Sequence, residues 1–315
     1  MTAAASPAPG LPGPRRLRYV TDGGMETDLI FHHGADLPEF AAFPLLDSPE
    51  GRSLLEHYYD DYAAIAAQAG AGLMLEAPTW RANPRWGARL GYDAESLARV
   101  NRAAIALLGR LRTRYAPTVA DVVISGMIGP RDDGYTAGQR FDPAEAADYH
   151  GPQLEAFASA DADMAAAYTL TDVGEAIGIV RAARVAGLPI AISFTVETDG
   201  RLPGGATIAD AITAVDEAAP PDYYLINCAH PTHIARGLGG DGPWRRRIAG
   251  IRPNASTRSH AELDESEQLD EGDIGALVAG QARLTPNLPA LSILGGCCGT
   301  DHRHVAALWA DQGAR

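Results

Sequence analysis

The residue types best suited to chemistry in this sequence are its three cysteines. Cys228 lies at the end of the run YYLINCAH, and the vicinal pair Cys297-Cys298 lies at the end of LSILGGCCGT. Thiolates are soft ligands, and a set of three fits zinc, which prefers four-coordinate sulfur or nitrogen ligation. Three protein ligands leave the fourth position open, as a catalytic zinc site does. A zinc ion with three thiolates carries a net charge of about −1, so it activates water poorly. It suits a fourth, substrate thiolate, whose pKa falls on coordination. The chemistry implied is sulfur alkylation in preference to hydrolysis. Gly295, Gly296 and Gly299 flank the pair and allow the tight backbone that aims two adjacent thiols at one ion. Three inert buried cysteines are the plainer alternative, since free cysteine is often buried.

Such a site needs elements that bring distant segments together. Short apolar runs alternate with longer alanine-rich amphipathic stretches, the pattern of βα units and a parallel sheet. The apolar runs are Arg18–Gly24, Gly72–Pro78, Asp121–Pro130, Ala162–Leu170, Leu188–Val196, Tyr223–His230, Ile248–Ser256 and Leu291–Thr300. Helices are expected over 51–69, 94–115, 143–160, 172–186, 207–218, 231–238, 272–283 and 302–312. Asp142-Pro143 and Ser48-Pro49-Glu50 mark helix starts, and Gly70, Gly91 and Gly187 mark stops. Eight such units predict a single-domain (β/α)8 barrel of the TIM type over residues 18–315. A dinucleotide-binding sheet would want G-x-G-x-x-G after an early strand, which Asp22-Gly23-Gly24-Met25 does not supply. In a barrel the carboxyl ends of the strands converge on one face, where active sites are built. All three cysteines are thereby expected at one mouth. The long connections Phe31–Asp47 and Asn254–Asp273 leave the same face and are candidate lids. The acidic SHAELDESEQLDEGD within the second reads equally as a solvated helical face.

The 315 residues carry 26 basic and 40 acidic side chains, a formal charge of −14. That balance argues against nucleic acid or an anionic membrane as partner, both of which need a basic footprint. Arg245-Arg246-Arg247 is the main exception and reads as a solvated helix end. No apolar run is long enough for a membrane span. Residues 1–17 read as a disordered tail and not as a signal peptide. Three cysteines make no disulfide framework, so a reducing, cytoplasmic setting is expected.

The segments TDGGMETDL (Thr21–Leu29), INC (Ile226–Cys228) and GGCCGT (Gly295–Thr300) resemble those of the homocysteine S-methyltransferase family, and the resemblance runs from about Tyr19 to Trp309. It implies that Cys228, Cys297 and Cys298 bind zinc, and that zinc binds the homocysteine sulfur. Asp22 and Gly23 would seat the amino acid beside the metal. The segment after the second strand corresponds to Thr79-Trp80-Arg81-Ala82, and Ser193-Phe194-Thr195 matches the fifth strand. Thr79, Trp80 and Asn227 are therefore further candidate substrate-binding residues. The implied reaction methylates a small-molecule thiol, homocysteine, to methionine. A sulfonium donor such as S-methylmethionine or S-adenosylmethionine fits, because no cobalamin module is present and an acidic surface favours a cation. A homo-oligomer is compatible with this reading.

One position departs from the family. After the fourth strand the family has Glu-Thr, whose carboxylate meets the homocysteine ammonium; here the pair is Tyr168-Thr169. Either another carboxylate takes over, with Glu76 and Glu197 best placed, or the acceptor is a different thiol. A non-catalytic zinc- or oxidant-responsive thiol protein is the third option. Trp80 is suited to stacking on a cationic donor or to plain packing. His230 and His233, three apart at a helix start, either face the site or serve a structural role, His32-His33 in the first long loop either help form a lid or stand exposed, and Thr300 or Asp301 reads as an N-cap.

Overall fold

In the computed structural model, which describes residues 17–134, 140–266 and 268–313, eight parallel strands close into a barrel in sequence order. They are β1 (Tyr19–Val20), β2 (Gly72–Glu76), β3 (Val122–Ile128), β4 (Met164–Leu170), β5 (Ile190–Phe194), β6 (Tyr223–Asn227), β7 (Ile248–Arg252) and β8 (Ile293–Leu294). Closure comes from β1, which pairs with both β2 and β8. Every expected strand is present, and each is shorter than its apolar run. Residues 21–24, 77–78, 253–256 and 295–300 leave the ladder and build the mouth instead. Residues 1–16 of the expected tail lie outside the described residues.

Strand alternation sorts the core into two shells. On β2, Leu73 and Leu75 face the helices while Met74 faces the lumen. On β6, Tyr224 and Ile226 face outward while Tyr223 and Leu225 face inward. The lumen is a packed core closed below by Tyr19, Met164 and Ile293, as in barrels of this kind.

The helices begin and end where local chemistry directs. Ser48 caps Pro49–Ala69, Asp93 caps Ala94–Tyr115, Asp142 caps Pro143–Ala158 and Asp172 caps Val173–Ala186, each accepting from a first-turn N–H. Gly70 and Gly187 end theirs in the left-handed conformation, φ 60° and 70°. Three short helices complete the set: Met25–Phe31 and Pro84–Arg89, which were not expected from the sequence, and His260–Asp264, inside the acidic stretch read as a lid or a helical face. The first and last of these stand at the mouth. The Arg245–Arg247 run forms a 3-10 turn, not a solvated α-helix end. Within it Arg247 pairs with Asp216 at 2.9 Å, and Arg245 donates to main-chain carbonyls. No helix among the described residues is long and apolar enough to cross a membrane.

Candidate metal centre and flanking cavities

The Sγ atoms of Cys228, Cys297 and Cys298 lie within 4.8 Å of one another, at the carboxyl ends of β6 and β8. Cys228 is buried and the vicinal pair half-buried. Cys228 has φ 55°, a left-handed conformation that is strained for a side chain with a Cβ. Thr169, at φ 62° inside β4, is strained in the same way. Asn227 braces both. Its Oδ1 accepts from the Thr169 N–H at 2.9 Å and from the Ser193 hydroxyl at 2.7 Å. Its Nδ2 donates to Thr169 Oγ1 at 2.9 Å and lies 3.6 Å from Cys297 Sγ. Asn254 Nδ2 lies 3.7 Å from Cys228 Sγ. Amide donors aimed at sulfur stabilise the thiolate form.

These residues fit a soft divalent cation. Interaction with Cys297 and Cys298 holds the Cys228 thiol well below its usual range. In return the hydrogen bond with Cys228 pushes Cys297 up to about 12 and Cys298 well above its usual range. Three thiols this close share one negative charge unless a cation joins them. Behind Cys228, His260 Nε2 lies 2.7 Å from the Cys228 carbonyl oxygen and its Nδ1 lies 2.8 Å from Glu197 Oε1. Burial disfavours a charge on His260, but the hydrogen bonds to Cys228 and Glu197 prevail and raise it to about 10. Asp28, His32 and Asp301 also cluster within 4.8 Å, but salt bridges from His32 to Glu271 and from Arg303 to Asp301 already engage them.

Two cavities meet at the cysteines. The smaller, about 50 Å3, is lined by Asp22, Gly23, Glu26, Tyr168, Asn227 and Arg252 as well as Cys297 and Cys298. The larger, about 370 Å3, is bounded by Phe31 and Phe40 from the first long loop and by His260, Asp264 and Asp270 from the second. Cys228 and Cys298 form its inner end. Trp80 borders both.

A buried ion pair organises the smaller cavity. Arg252 Nη2 donates to Asp22 Oδ1 at 2.5 Å and to the Gly23 carbonyl at 3.1 Å, and Nε donates to the Gly296 carbonyl at 2.9 Å. Its guanidinium sits 4.8 Å from the Tyr168 ring centroid. Burial pushes the Asp22 carboxyl up, opposed by Arg252 and by the Tyr58 hydroxyl. Tyr168, which lies within β4 and not after it, donates to Glu76 Oε1 at 2.6 Å. Glu76 is fully buried and lines neither cavity; desolvation raises its carboxyl to about 7 against Arg252 and Tyr168.

The other expected site residues fall unevenly. Thr79 lines neither cavity, because its hydroxyl donates to the Met127 carbonyl at 2.8 Å. The Arg81 guanidinium stands 5.0 Å from the Trp80 ring centroid, so a cation of the chain's own already sits on that indole. Glu197, His230 and His233 line a small cleft behind Cys228, away from both cavities. His32 bonds to Asp28 and Glu271 at the rim. Asp301 accepts from the Arg303 and His304 N–H groups and so caps the last helix. Glu26, Arg252, Asn254 and His260 were not singled out in the sequence. Arg252 carried a signal, being the one charge in the apolar run IAGIR.

The family model described as homocysteine S-methyltransferase matches residues 19–311. Homocysteine S-methyltransferase YbgG of Bacillus subtilis is 25% identical over 314 residues, covering 92% of this chain and 94% of that protein. The fold is shared with the homocysteine methyltransferase MmuM of Escherichia coli. Its metallated form superposes with a TM-score of 0.70 and its oxidized form with 0.74. Each is 20% identical, covering 94% of this chain and 96% of that one. With the barrel, the three converging cysteines and a match across nearly all of its described length, the chain belongs to the homocysteine S-methyltransferase family.

Proposed function

We propose that this enzyme is a zinc-dependent thiol S-methyltransferase that converts homocysteine to methionine with a sulfonium donor, S-methylmethionine or S-adenosylmethionine. The observation that carries the reading is the convergence of three Sγ atoms within 4.8 Å at the junction of two cavities. Cys228, Cys297 and Cys298 would hold the ion. When bound, zinc supplies a Lewis acid that keeps an acceptor sulfur ionised at neutral pH.

The chain's own residues do the rest. Asn227 and Asn254 hold the cysteine sulfurs in place through N–H donors, and the strained Cys228 backbone is fixed by its bonds to Arg252 and His260. The strand-lined cavity seats the acceptor, and the loop-lined cavity takes the donor. Transfer forms a bond between the acceptor sulfur and the methyl carbon and breaks the donor carbon–sulfur bond. The electron pair of that bond returns to the donor sulfur, which leaves as a neutral thioether. No proton accompanies it, so the transfer step needs no general acid. Asp133, Asp264 and Asp270 around the larger cavity favour a cationic donor. Three free thiols suit a reducing compartment, and we place the enzyme in the cytoplasm.

Metal analysis of the purified protein should find about one zinc per chain. Homocysteine with either sulfonium donor should yield methionine. Transfer that survives both chelation of the metal and Cys297→Ala would overturn the reading.

A further inference from the structure

The resemblance implies a carboxylate for the acceptor ammonium where Tyr168 stands, and the lining of the smaller cavity offers others. Two carboxylates line that cavity, Asp22 and Glu26. Asp22 is already committed to Arg252 at 2.5 Å and accepts from the Tyr58 hydroxyl at 3.2 Å. Glu76 stands behind Tyr168, fully buried, with Oε1 engaged by the Tyr168 hydroxyl. Glu197 is turned toward His260 behind the metal site. Glu26 remains. It is half-buried in the first turn of the helix Met25–Phe31, and it has no hydrogen bond or ion pair to another side chain among the described residues. Desolvation raises its carboxyl to about 7, so an incoming cation would be welcome there.

The same cavity holds a donor that lacks a partner. Arg252 is 4% exposed, and its Nη1 makes no hydrogen bond, although Nε and Nη2 make several. A buried guanidinium N–H left open beside a cavity calls for an anionic acceptor. One free anion and one free cationic donor thus line a space that ends on Cys297 and Cys298. A zwitterionic α-amino-acid head on a thiol side chain has the matching charges.

We propose that Glu26 and Arg252 together recognise the amino-acid head of the acceptor, Glu26 taking the ammonium and the Arg252 Nη1 the carboxylate. This rests on homocysteine being the acceptor. It assigns the specificity to a helix and to β7, in place of the β4 position that Tyr168 occupies.

The test compares three thiols on the zinc-loaded enzyme with one sulfonium donor. They are homocysteine, its des-amino analogue mercaptobutanoate, and its decarboxylated analogue aminopropanethiol. Wild type should prefer homocysteine to each analogue by roughly 10- to 100-fold in kcat/KM, chiefly through KM, as charge-assisted hydrogen bonds imply. Glu26→Gln should shrink the preference over mercaptobutanoate to within about threefold while keeping the preference over aminopropanethiol. Arg252→Lys, which retains a charge for Asp22 but loses the guanidinium fork, should do the reverse. A merely structural role would weaken all three thiols alike. If wild type turns over homocysteine and Glu26→Gln keeps its full preference over mercaptobutanoate, the inference fails alone. A wild type equally active on all three thiols overturns it without any variant. If wild type methylates no homocysteine, the proposed function fails first and this inference with it.

Discussion

The two walls that meet at the cysteines are made of different material. The wall around the smaller cavity is built by strand ends and what immediately follows them: Asp22 after β1, Tyr168 in β4, Asn227 in β6 and Arg252 in β7. Apart from Glu26, its charged groups bond across the barrel, and Asp22 and Arg252 are nearly inaccessible. The wall of the larger cavity is built by the two long connections, with Phe31 and Asp264 exposed and Asp270 held within its own loop by the Ser256 hydroxyl, the Gly272 N–H and Arg258. Strand ends cannot shift without breaking the ladder, whereas loop segments held by a few bonds open at low free energy. On the proposed reading, the rigid wall recognises the acceptor and the adaptable one admits the donor. The cysteines belong to both.

Removing what the walls share should have the largest effect. Cys297→Ala takes away one of the three proposed ligands, and metal analysis should show zinc lost. Methyl transfer should fall to background with either donor. A variant that keeps stoichiometric zinc would show that two thiols suffice, and the shared-centre account would fail.

Next comes the rigid wall alone. Arg252→Leu leaves the Asp22 carboxylate buried without its partner, which costs about 3–5 kcal/mol. Urea denaturation should show that loss, and a change under 1 kcal/mol would mean that water replaces the pair. Within the same wall, Glu76 gives stability a pH signature. Its carboxyl is raised to about 7 from an ordinary 4.5, so between those values the folded protein holds a proton that the unfolded chain has released. Stability should therefore fall as pH rises through that window and level off above 7. The contribution is on the order of 3 kcal/mol. Glu26 shifts in the same direction, so the measurement is the difference from Glu76→Gln, whose slope between pH 5 and 7 should be shallower. Superimposable profiles would place the Glu76 proton elsewhere.

The contrast between the walls also marks what could be read from the sequence. The eight strands were legible because each is a near-continuous apolar run between helix signals, and the cysteines because they close two such runs. The runs gave no sign of where pairing stops. Thr21–Gly24 and Gly295–Thr300 look like strand but turn aside to form the mouth, leaving β1 and β8 two residues each. Contacts across the lumen were hidden too. Tyr168 and Glu76 are 92 residues apart, and the register of the two strand pairings between them, β2 with β3 and β3 with β4, brings them together. Glu76 was a candidate for its charge, but charge at a strand end does not tell whether a side chain faces the cavity or lies behind a neighbour. Glu26 was missed because a seven-residue helix is too short to show a hydrophobic period. His260 was missed inside an acidic stretch that reads as solvated, although its ring locks that stretch to Cys228 and Glu197.

The adaptable wall should yield the smallest effect, and the one that most directly separates the two. Asp264 is exposed at the end of the short helix His260–Asp264, and it borders the larger cavity with Trp80 and Phe40. An exposed carboxylate attracts a cationic donor by about 0.2–1 kcal/mol, since water screens most of the field. Asp264→Asn should therefore raise the KM for a sulfonium donor by roughly 1.5- to 5-fold. The KM for the thiol should stay unchanged, as should the urea midpoint, because no buried contact is lost. The gap between variant and wild type should close as salt is raised toward 1 M, where screening shortens the reach of a charge to about 3 Å. If Asp264→Asn instead moved the thiol KM, acceptor and donor would share the larger cavity, and the division between the two walls would have to be withdrawn.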